Sequence, residues 1–227
     1  MRTLAILPVK SFGAAKQRLG DLLAGGSRRA LAQAMFADVL TALRHVPELD
    51  EVAVVTGDRG AEWAARAERV RVLPDPAEDG QSAAAQIGVR HALARGFDRA
   101  LLVPADTPLL DPAEISELLQ REGERASIVP DRHGTGTNAL LLAPPDAFAP
   151  CFGPGSFARH VSGAEGADVQ FSVDELPSLT LDVDTPGDLA EVTRRLEGQR
   201  GLAPQTRGAL SQLGRMGALP APAPASA

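Results

Sequence analysis

Short apolar runs alternate with amphipathic stretches along most of the chain. Runs of apolar and β-branched residues predict strands, whereas apolar positions that recur every three or four residues predict helices. Strands and helices in alternation are typical of an α/β protein whose sheet is mostly parallel. The predicted strands are 4–7, 51–56, 70–73, 100–103, 126–131, 138–143 and 179–184, and helices are predicted for 27–46, 61–68 and 81–95, with others beginning near 112, 156 and 186.

The first predicted strand is followed by a loop that holds the only two lysines of the chain, against 21 arginines. Pro8 has no amide hydrogen for the ladder, so we expect the chain to leave the sheet there. Lys10, Lys16 and Arg18 follow. A compact ammonium suits a phosphate group whose charge moves during reaction, so the loop is a candidate phosphate clamp. Two lysines on an ordinary solvated loop would fit the spacing equally well.

Asp106 ends the wholly apolar strand 100–103, where open parallel sheets place their ligand sites. A carboxylate at the end of a buried strand needs a cation or several hydrogen bonds. A role in capping the next turn is the structural alternative, but Asp111 and Pro112 already supply a cap and a first helical residue. We therefore favour a divalent metal as the partner of Asp106.

Two further carboxylates belong to the predicted strand 179–184. Asp182 and Asp184 project to the same side because side chains alternate along a strand. An open parallel sheet can bring them to the edge that carries Asp106. Since Mg²⁺ prefers one or two carboxylates with water and phosphate oxygens, we expect Asp106 and Asp184 as ligands, with Asp182 behind them.

Three other segments carry groups that could hold a ligand. Gly80 precedes the helix 81–95 and Ser82 stands in its first turn, where amide groups are free, although close packing on the sheet explains these small residues better by itself. The loop 132–137 combines two glycines with Thr137, and Asn138 follows it. In segment 152–157, Ser156 is a predicted N-cap. Each loop alone is compatible with an ordinary turn, but two in one domain favour a small-anion site.

Composition narrows the classes of protein. The 227 residues, 44% of them hydrophobic, suffice for one well-packed domain, which we assign to 1–198. The composition changes after Gly198, so we expect 199–227, above all from Pro220 onward, to be a disordered tail or a loose appendage. A net charge of −6 and 4% aromatic residues argue against a nucleic-acid-binding protein. No apolar stretch approaches the ~20 residues of a membrane span. The single cysteine, Cys151, fits a reducing cytoplasm.

Five segments, in this order, resemble the guanylyltransferases of coenzyme F-420 biosynthesis. They are PVKSFGAAKQRL, VPADTPLL, VPDRHGTGTNALLL, FGPGSF and LDVDTPGDL. The similarity covers about residues 3–197, and DRHGTGTNALLL is its most specific part, because DVDTPGDL recurs in many nucleotidyltransferases. The family includes enzymes that act on phosphoenolpyruvate or 2-phospho-L-lactate.

The resemblance implies a three-layer, Rossmann-like nucleotidyltransferase fold of the nucleotide-diphospho-sugar transferase type, with a mixed sheet between helices. It also implies transfer of GMP from GTP to a small phospho-acid, release of pyrophosphate, and Mg²⁺ as cofactor. We prefer phosphoenolpyruvate as acceptor, with 2-phospho-L-lactate and 3-phosphoglycerate open. GTP and the acid are the expected partners, and a homodimer is left open.

Roles follow from the resemblance position by position. Catalysis is implied for Lys16 and Asp106, and metal binding for Asp106 with Asp184 or Asp182. The implied nucleotide-binding residues are Lys10, Lys16, Arg18, Gly80 and Ser82, and the implied acid-binding residues are Thr137, Asn138, Gly153 and Ser156. One departure affects the contacts to base and ribose: many relatives have Gly-Leu-Asn where this chain has Gly80, Gln81 and Ser82.

Two alternatives are kept. One is another nucleotidyltransferase of the same fold, of the molybdenum-cofactor or isoprenoid type, which acceptor and nucleotide panels would distinguish. The other is a non-catalytic nucleotide-binding module, which would bind GTP without releasing pyrophosphate. The GTGTN loop argues against the first alternative, and Asp106 with the paired lysines argues against the second.

Overall fold

The computed structural model describes residues 1–121, 123, 125–199 and 201–218. In this part of the chain seven strands form one sheet in the order β3-β2-β1-β4-β6-β5-β7. Neighbouring strands are parallel except at β4/β6 and β5/β6. The strands are β1 (Thr3–Val9), β2 (Glu51–Thr56), β3 (Arg71–Pro74), β4 (Arg99–Leu102), β5 (Ala126–Pro130), β6 (Thr137–Leu142) and β7 (Phe171–Val173).

Helices cover both faces of this sheet, as the alternating pattern predicts. The α-helices are α1 (Gly25–Arg44), α2 (Arg59–Ala67), α3 (Gln81–Ala94), α4 (Pro112–Gln120), α5 (Ser156–Gly166), α6 (Pro186–Leu196) and α7 (Pro204–Arg215). Alternate residues of β1 point to opposite faces: Leu7 packs with α1, α2 and α4, while Ile6 packs with α3 and α5. The three-layer α/β arrangement with a mostly parallel mixed sheet is therefore confirmed. None of the described helices is long and apolar enough to cross a membrane.

The first strand continues beyond Pro8, so the prediction that the chain leaves the sheet there is wrong. Pro8 pairs in register with Val55, and β1 ends only after Val9. The carbonyl of Ile6 accepts from the amide of Val103, so the polar groups of Ile6, and of Pro8 two residues later, face the β4 side. Since β4 has already ended at Leu102, the missing amide hydrogen of Pro8 interrupts no ladder.

The predicted strand 179–184 is not a strand in the structure. The alternation of apolar and acidic residues in this segment does reflect burial, because Leu181 and Val183 are fully buried. However, the segment makes isolated backbone bonds instead of a ladder, such as the amide of Val183 to the carbonyl of Asp106 at 3.1 Å. It crosses the ends of other strands and so carries Asp182 and Asp184 to the loop after β4.

The predicted disordered tail is wrong for residues 204–215, which form α7. Leu210 and Leu213 pack into a third apolar cluster with Leu31 of α1. Buried Asp38 of α1 caps α7, accepting from the amides of Gln205 at 3.1 Å and Thr206 at 2.7 Å. Glycines and polar residues hide the apolar period of α7 in the sequence. Residue 200 and residues 219–227 of the predicted tail lie outside the described residues.

Candidate active site

Lys16 links two acidic residues at the carboxyl end of the sheet. Its ammonium nitrogen lies 2.5 Å from Oδ2 of Asp106 and 2.9 Å from Oδ1 of Asp184, and the lysine side chain is only 6% exposed. Burial alone would lower the pKa of Lys16, but the charges of the two carboxylates outweigh it and raise that pKa above its ordinary value. The structure thus joins the loop after β1, the loop after β4 and the start of α6.

Asp182 lies beside this group without contacting Lys16. Its Oδ1 accepts from Nδ2 of Asn138 at 3.2 Å, and the same amide donates to the carbonyl of Leu179 at 2.7 Å. Burial, reinforced by the negative charge of Asp106, raises the pKa of Asp182 to about 6. Asn138 therefore orients Asp182, a contact that the implied role in acid binding did not include.

The carboxylates of Asp106 and Asp184 converge on one point, because a single nitrogen contacts both. A hard divalent cation that takes one or two protein carboxylates fits such a pair. Among the described residues, no three or more His, Cys, Asp or Glu side chains are arranged to hold a metal. The remaining ligands of a cation here would be water and phosphate oxygens, as is usual for Mg²⁺.

A cavity of about 370 Å³ opens on one side of these residues. Lys10, Lys16, Arg18 and Gly80 line it, four of the five residues expected to bind nucleotide. Ser82 does not line it, and the Ser82 hydroxyl instead donates to the carbonyl of Phe152 at 3.4 Å. The cationic loop after β1 and the start of α3 therefore face the same space.

A second cavity of about 490 Å³ opens on the other side. It is lined by all four residues expected to bind the phospho-acid, which are Thr137, Asn138, Gly153 and Ser156. The two cavities share a wall, formed by Arg18, Gln81, Pro104, Asp106 and Asp184. Two ligands in the two cavities would meet at the acidic pair that Lys16 bridges.

The loop before β6 is shaped by Asp131. Its carboxylate accepts from the amides of His133, Thr135 and Gly136 at 2.8–3.0 Å. Burial acts to raise the pKa of Asp131, but these donors outweigh it and lower that pKa below its ordinary value. A Cβ at Gly136 would lie 2.6 Å from Oδ2 of Asp131, so any larger residue there would displace the Asp131 carboxylate from these amides. The carbonyl of Thr135 then accepts from the amide of Phe157, which joins this loop to α5.

Ser156 is not the N-cap of α5, as the sequence predicts, but its first residue. Gly155 occupies the cap position with φ of 72°, a left-handed conformation that favours glycine. Ser156 is 2% exposed, and its amide donates to the carbonyl of Gly153 at 3.0 Å. The cap thus comes from backbone geometry, and the serine hydroxyl is not used for it.

His160 is a functional candidate that the sequence analysis missed. It is fully buried, and its Nε2 accepts from the amide of Cys151 at 2.8 Å. Burial, with a smaller effect of the Arg159 charge, lowers the pKa of His160 to about 4, so the ring is neutral with its proton on Nδ1. Nδ1 lies 2.9 Å from the hydroxyl oxygen of Thr137, which accepts a hydrogen bond from Nδ1–H. The hydrogen of the Thr137 hydroxyl remains available to a ligand in the second cavity.

A cavity of about 750 Å³, larger than either of these two, lies away from this site. It is a groove at the opposite end of β2 and β3, lined by Asp50, Glu51, Arg66, Arg69 and Arg71 among others. Two of its arginines already pair within the chain, Arg66 with Glu62 and Arg71 with Glu51. Size alone therefore does not mark the site, and the convergent charged groups do.

Comparison with known proteins gives a family match and close relatives. Residues 3–203 match the family model described as guanylyl transferase CofC like. A phosphoenolpyruvate guanylyltransferase of Conexibacter woesei is 50% identical over 216 residues, covering 94% of this chain and 97% of the relative. A 2-phospho-L-lactate guanylyltransferase of Methanothermobacter thermautotrophicus is 35% identical over 199 residues, covering 87% of each.

Solved structures share the fold at low identity. A candidate nucleotide-diphospho-sugar transferase from Desulfovibrio desulfuricans superposes with a TM-score of 0.76 at 19% identity, covering 95% of this chain and 97% of that one. A CMP-2-keto-3-deoxy-manno-octonic acid synthetase in complex with CTP gives a TM-score of 0.61 at 12% identity, covering 87% and 99%. These matches confirm the predicted nucleotidyltransferase type of fold.

Proposed function

This chain belongs to the CofC-like guanylyl transferase family, and we propose that it transfers the guanylyl group of GTP to the phosphate of phosphoenolpyruvate. It is a guanylyltransferase, as its relatives indicate. The proposal concerns the acceptor, the metal and the residues that act. As the resemblance implied, we assign the reaction to the biosynthesis of coenzyme F-420. The homodimer and the cytoplasmic location stay predictions.

The observation that carries the proposal is the wall between the two cavities. A nucleotide held by Lys10 and Arg18 and an acid held by Thr137 and Ser156 would meet at Asp106 and its neighbours. In the reaction, an oxygen of the acceptor phosphate attacks the α-phosphorus of GTP. The bond from that phosphorus to the bridging oxygen of pyrophosphate breaks, and pyrophosphate leaves. No side-chain nucleophile is needed.

Charge is the main obstacle to this reaction, because two polyanions must approach each other. Lys16 supplies a buried ammonium that can contact phosphate oxygens, and the loop after β1 adds Lys10 and Arg18. We propose that Asp106 and Asp184 hold Mg²⁺, which when bound supplies neutralisation of phosphate charge. Asp182, oriented by Asn138, stays behind them.

The second cavity offers donors for the carboxylate of the acceptor. The Thr137 hydroxyl donates because His160 already fills its acceptor position. Ser156, at the start of α5, and the glycine-rich backbone before β6 add neutral donors. Phosphoenolpyruvate and 2-phospho-L-lactate, the acceptors in the names of the two relatives, are both three-carbon phospho-acids that such a site suits. The higher identity to the phosphoenolpyruvate enzyme supports phosphoenolpyruvate here.

The test is pyrophosphate release from GTP with phosphoenolpyruvate, 2-phospho-L-lactate and 3-phosphoglycerate, each with and without Mg²⁺. We expect phosphoenolpyruvate to give the highest kcat/KM and release to require the metal. A parallel series with CTP distinguishes the other nucleotidyltransferases of this fold. Release with none of the three acids would overturn the proposal.

A further inference from the structure

The nucleotide cavity has an acidic end as well as a cationic one. Lys10 and Lys16 line it from the loop after β1, and Asp75, just after β3, lines it from another side. Asp75 is only 6% exposed. Bound phosphates would account for the two lysines at one end of the cavity. They would not account for Asp75 at the other end, because its carboxylate would repel them.

The order of the strands separates the two ends. β2 lies between β1 and β3, and adjacent strands are roughly 4.8 Å apart, so the end of β3 is about 10 Å from the end of β1. This spacing is comparable with the separation of base and phosphates within one nucleotide. With its phosphates at Lys16 and Asp106, a nucleotide that extends across β2 brings its base to Asp75.

Asp75 is fixed in place but keeps acceptor capacity. Its amide donates to the carbonyl of Thr56 at 3.0 Å, and its Oδ1 accepts from the amide of Glu78 at 3.2 Å. A Cβ at Gly57 would lie 2.6 Å from the carbonyl oxygen of Asp75, so glycine is required for this approach. In the described part of the chain, Asp75 Oδ2 has no hydrogen-bond partner and the carboxylate has no ion pair. Because Asp75 Oδ2 is not one of the buried polar atoms without a partner, it is reachable from the cavity that Asp75 lines and can accept hydrogen bonds from a ligand there.

We propose that Asp75 selects guanine by accepting hydrogen bonds from N1–H and the 2-amino group of the base. Guanine presents these two donors side by side, which matches the two oxygens of one carboxylate. Adenine presents an unprotonated ring nitrogen at the same position, which a carboxylate repels. This inference rests on the proposed function in taking GTP as the donor substrate, and it adds the residue that distinguishes the base.

The test is nucleotide binding by calorimetry, without phospho-acid, for wild type and Asp75→Asn. We expect wild type to bind GTP roughly 10-fold more tightly than ITP, which lacks the 2-amino group, and roughly 100-fold more tightly than XTP, whose 2-oxo group meets the carboxylate. An asparagine can accept from N1–H and donate to the 2-oxo group of xanthine. Asp75→Asn should therefore prefer XTP over GTP.

Asp79→Asn is the matched control, because it removes the same charge from the same loop at an exposed position that does not line the cavity. It should keep the wild-type ratio of GTP to XTP affinity. A ratio of two affinities also tolerates a partly unfolded variant, since both nucleotides bind only the folded fraction. An unchanged ratio in Asp75→Asn would overturn the inference. Failure of the proposed function would show differently, as GTP binding without pyrophosphate release.

Discussion

At the scale of single residues, one ammonium joins the acidic groups of the candidate site. Lys16 adopts a left-handed backbone conformation, with φ of 57°, and its side chain reaches between two carboxylates. Strain of this kind in a residue other than glycine costs on the order of 1 kcal/mol and persists only where the surroundings hold it. Here the ion pairs with Asp106 and Asp184 hold Lys16 in this conformation. The same acids are our proposed metal ligands, so lysine and cation are neighbours on one pair of carboxylates.

Lys16→Arg should lower kcat about 100-fold although the charge is kept. A planar guanidinium cannot place one compact donor between Asp106 and Asp184, nor follow a phosphate as an ammonium does. Lys10→Arg is the control, because Lys10 is exposed and should tolerate the exchange with a change of less than about fivefold. Steady-state pyrophosphate release measures both variants. Near-normal turnover of Lys16→Arg would contradict the prediction and show that the ammonium geometry of Lys16 is not needed for activity.

Asp106→Asn should abolish turnover and also lower stability. Asp106 is bonded to the ammonium of Lys16 at 2.5 Å. Removing one partner of a buried ion pair leaves the ammonium partly uncompensated, which should cost about 1–3 kcal/mol. Urea unfolding without metal checks the stability, and pyrophosphate release with Mg²⁺ checks the activity. An active variant would show that Asp106 is only a structural residue.

His160 should make stability depend on pH. Its pKa of about 4 in the folded protein lies below the ordinary 6.5, so the unfolded chain binds the extra proton first as pH falls. The contribution of neutral His160 is therefore complete above about pH 6.5 and is lost progressively down to about pH 4. Between pH 7 and pH 5 the loss should be about 2 kcal/mol.

The measurement compares urea unfolding of wild type and His160→Gln at both pH values. Glutamine has a similar size and does not titrate. We expect wild type to be the more stable protein at pH 7, by an advantage that shrinks by about 2 kcal/mol at pH 5. An advantage of the same size at both pH values would contradict a neutral buried ring and the donor role that it gives Thr137.

Sequence patterns located residues that carry charge and missed those that act through geometry. Lys16, Asp106 and Asp184 stood out because their residue types are rare or follow apolar strands. His160 and Asp131 did not, because their importance lies in hydrogen bonds to Thr137 and to backbone amides. Contacts of this kind depend on which loops meet, and local sequence does not encode that.

At the scale of elements, α7 shows why a composition argument failed. Alanine, glycine and polar residues are typical of a loose tail, yet Leu210 and Leu213 lie on one face and pack against α1. Met35 of α1 belongs to that cluster and also lines the nucleotide cavity. Through its packing against α1, α7 therefore supports the wall of the cavity that contains Met35. The segment 179–184 gives the converse case, since it has the alternation of a strand but no neighbouring strand to pair with.

Leu210→Ala should destabilise the protein by about 2–4 kcal/mol, because it leaves a cavity beside α1. Met216→Ala is the control at the end of the same helix: Met216 is 65% exposed, so its loss should stay within about 0.5 kcal/mol. Thermal or urea unfolding gives both values. Equal stability of the two variants would mean that α7 contributes no packing to the domain.

At the scale of the whole molecule, the sheet separates the cavity that we propose for the nucleotide from the cavity that we propose for the acid. The end of β1 and the residue after β3 line the cavity that we propose for the nucleotide, and β6 with the start of α5 borders the cavity that we propose for the acid. The acidic pair lies where the halves meet, after β4 and before α6. The overall α/β fold followed from the alternating pattern, because that pattern reflects burial. The separation of the two cavities could not be predicted from the sequence, because it depends on the antiparallel pairing of β4 with β6, which no local pattern specifies.

This division predicts that acceptor binding can be weakened without affecting the nucleotide. Thr137→Val keeps the shape of the side chain but removes the hydroxyl that His160 holds as a donor. We expect the KM for phosphoenolpyruvate to rise about 10-fold or more, since the carboxylate loses one hydrogen bond and the Nδ1–H of His160 loses its acceptor. The Kd for GTP should stay within about twofold.

Thr193→Val is the matched control, because the Thr193 hydroxyl bonds to the carbonyl of Leu189 within α6 and lines neither cavity. It should leave both constants unchanged. Acceptor titrations at saturating GTP, followed by calorimetry with GTP alone, measure the two quantities separately. A parallel loss of GTP affinity in Thr137→Val would show that the two halves bind their ligands as one coupled site. The KM for phosphoenolpyruvate could then no longer be assigned to the half that contains β6 and α5.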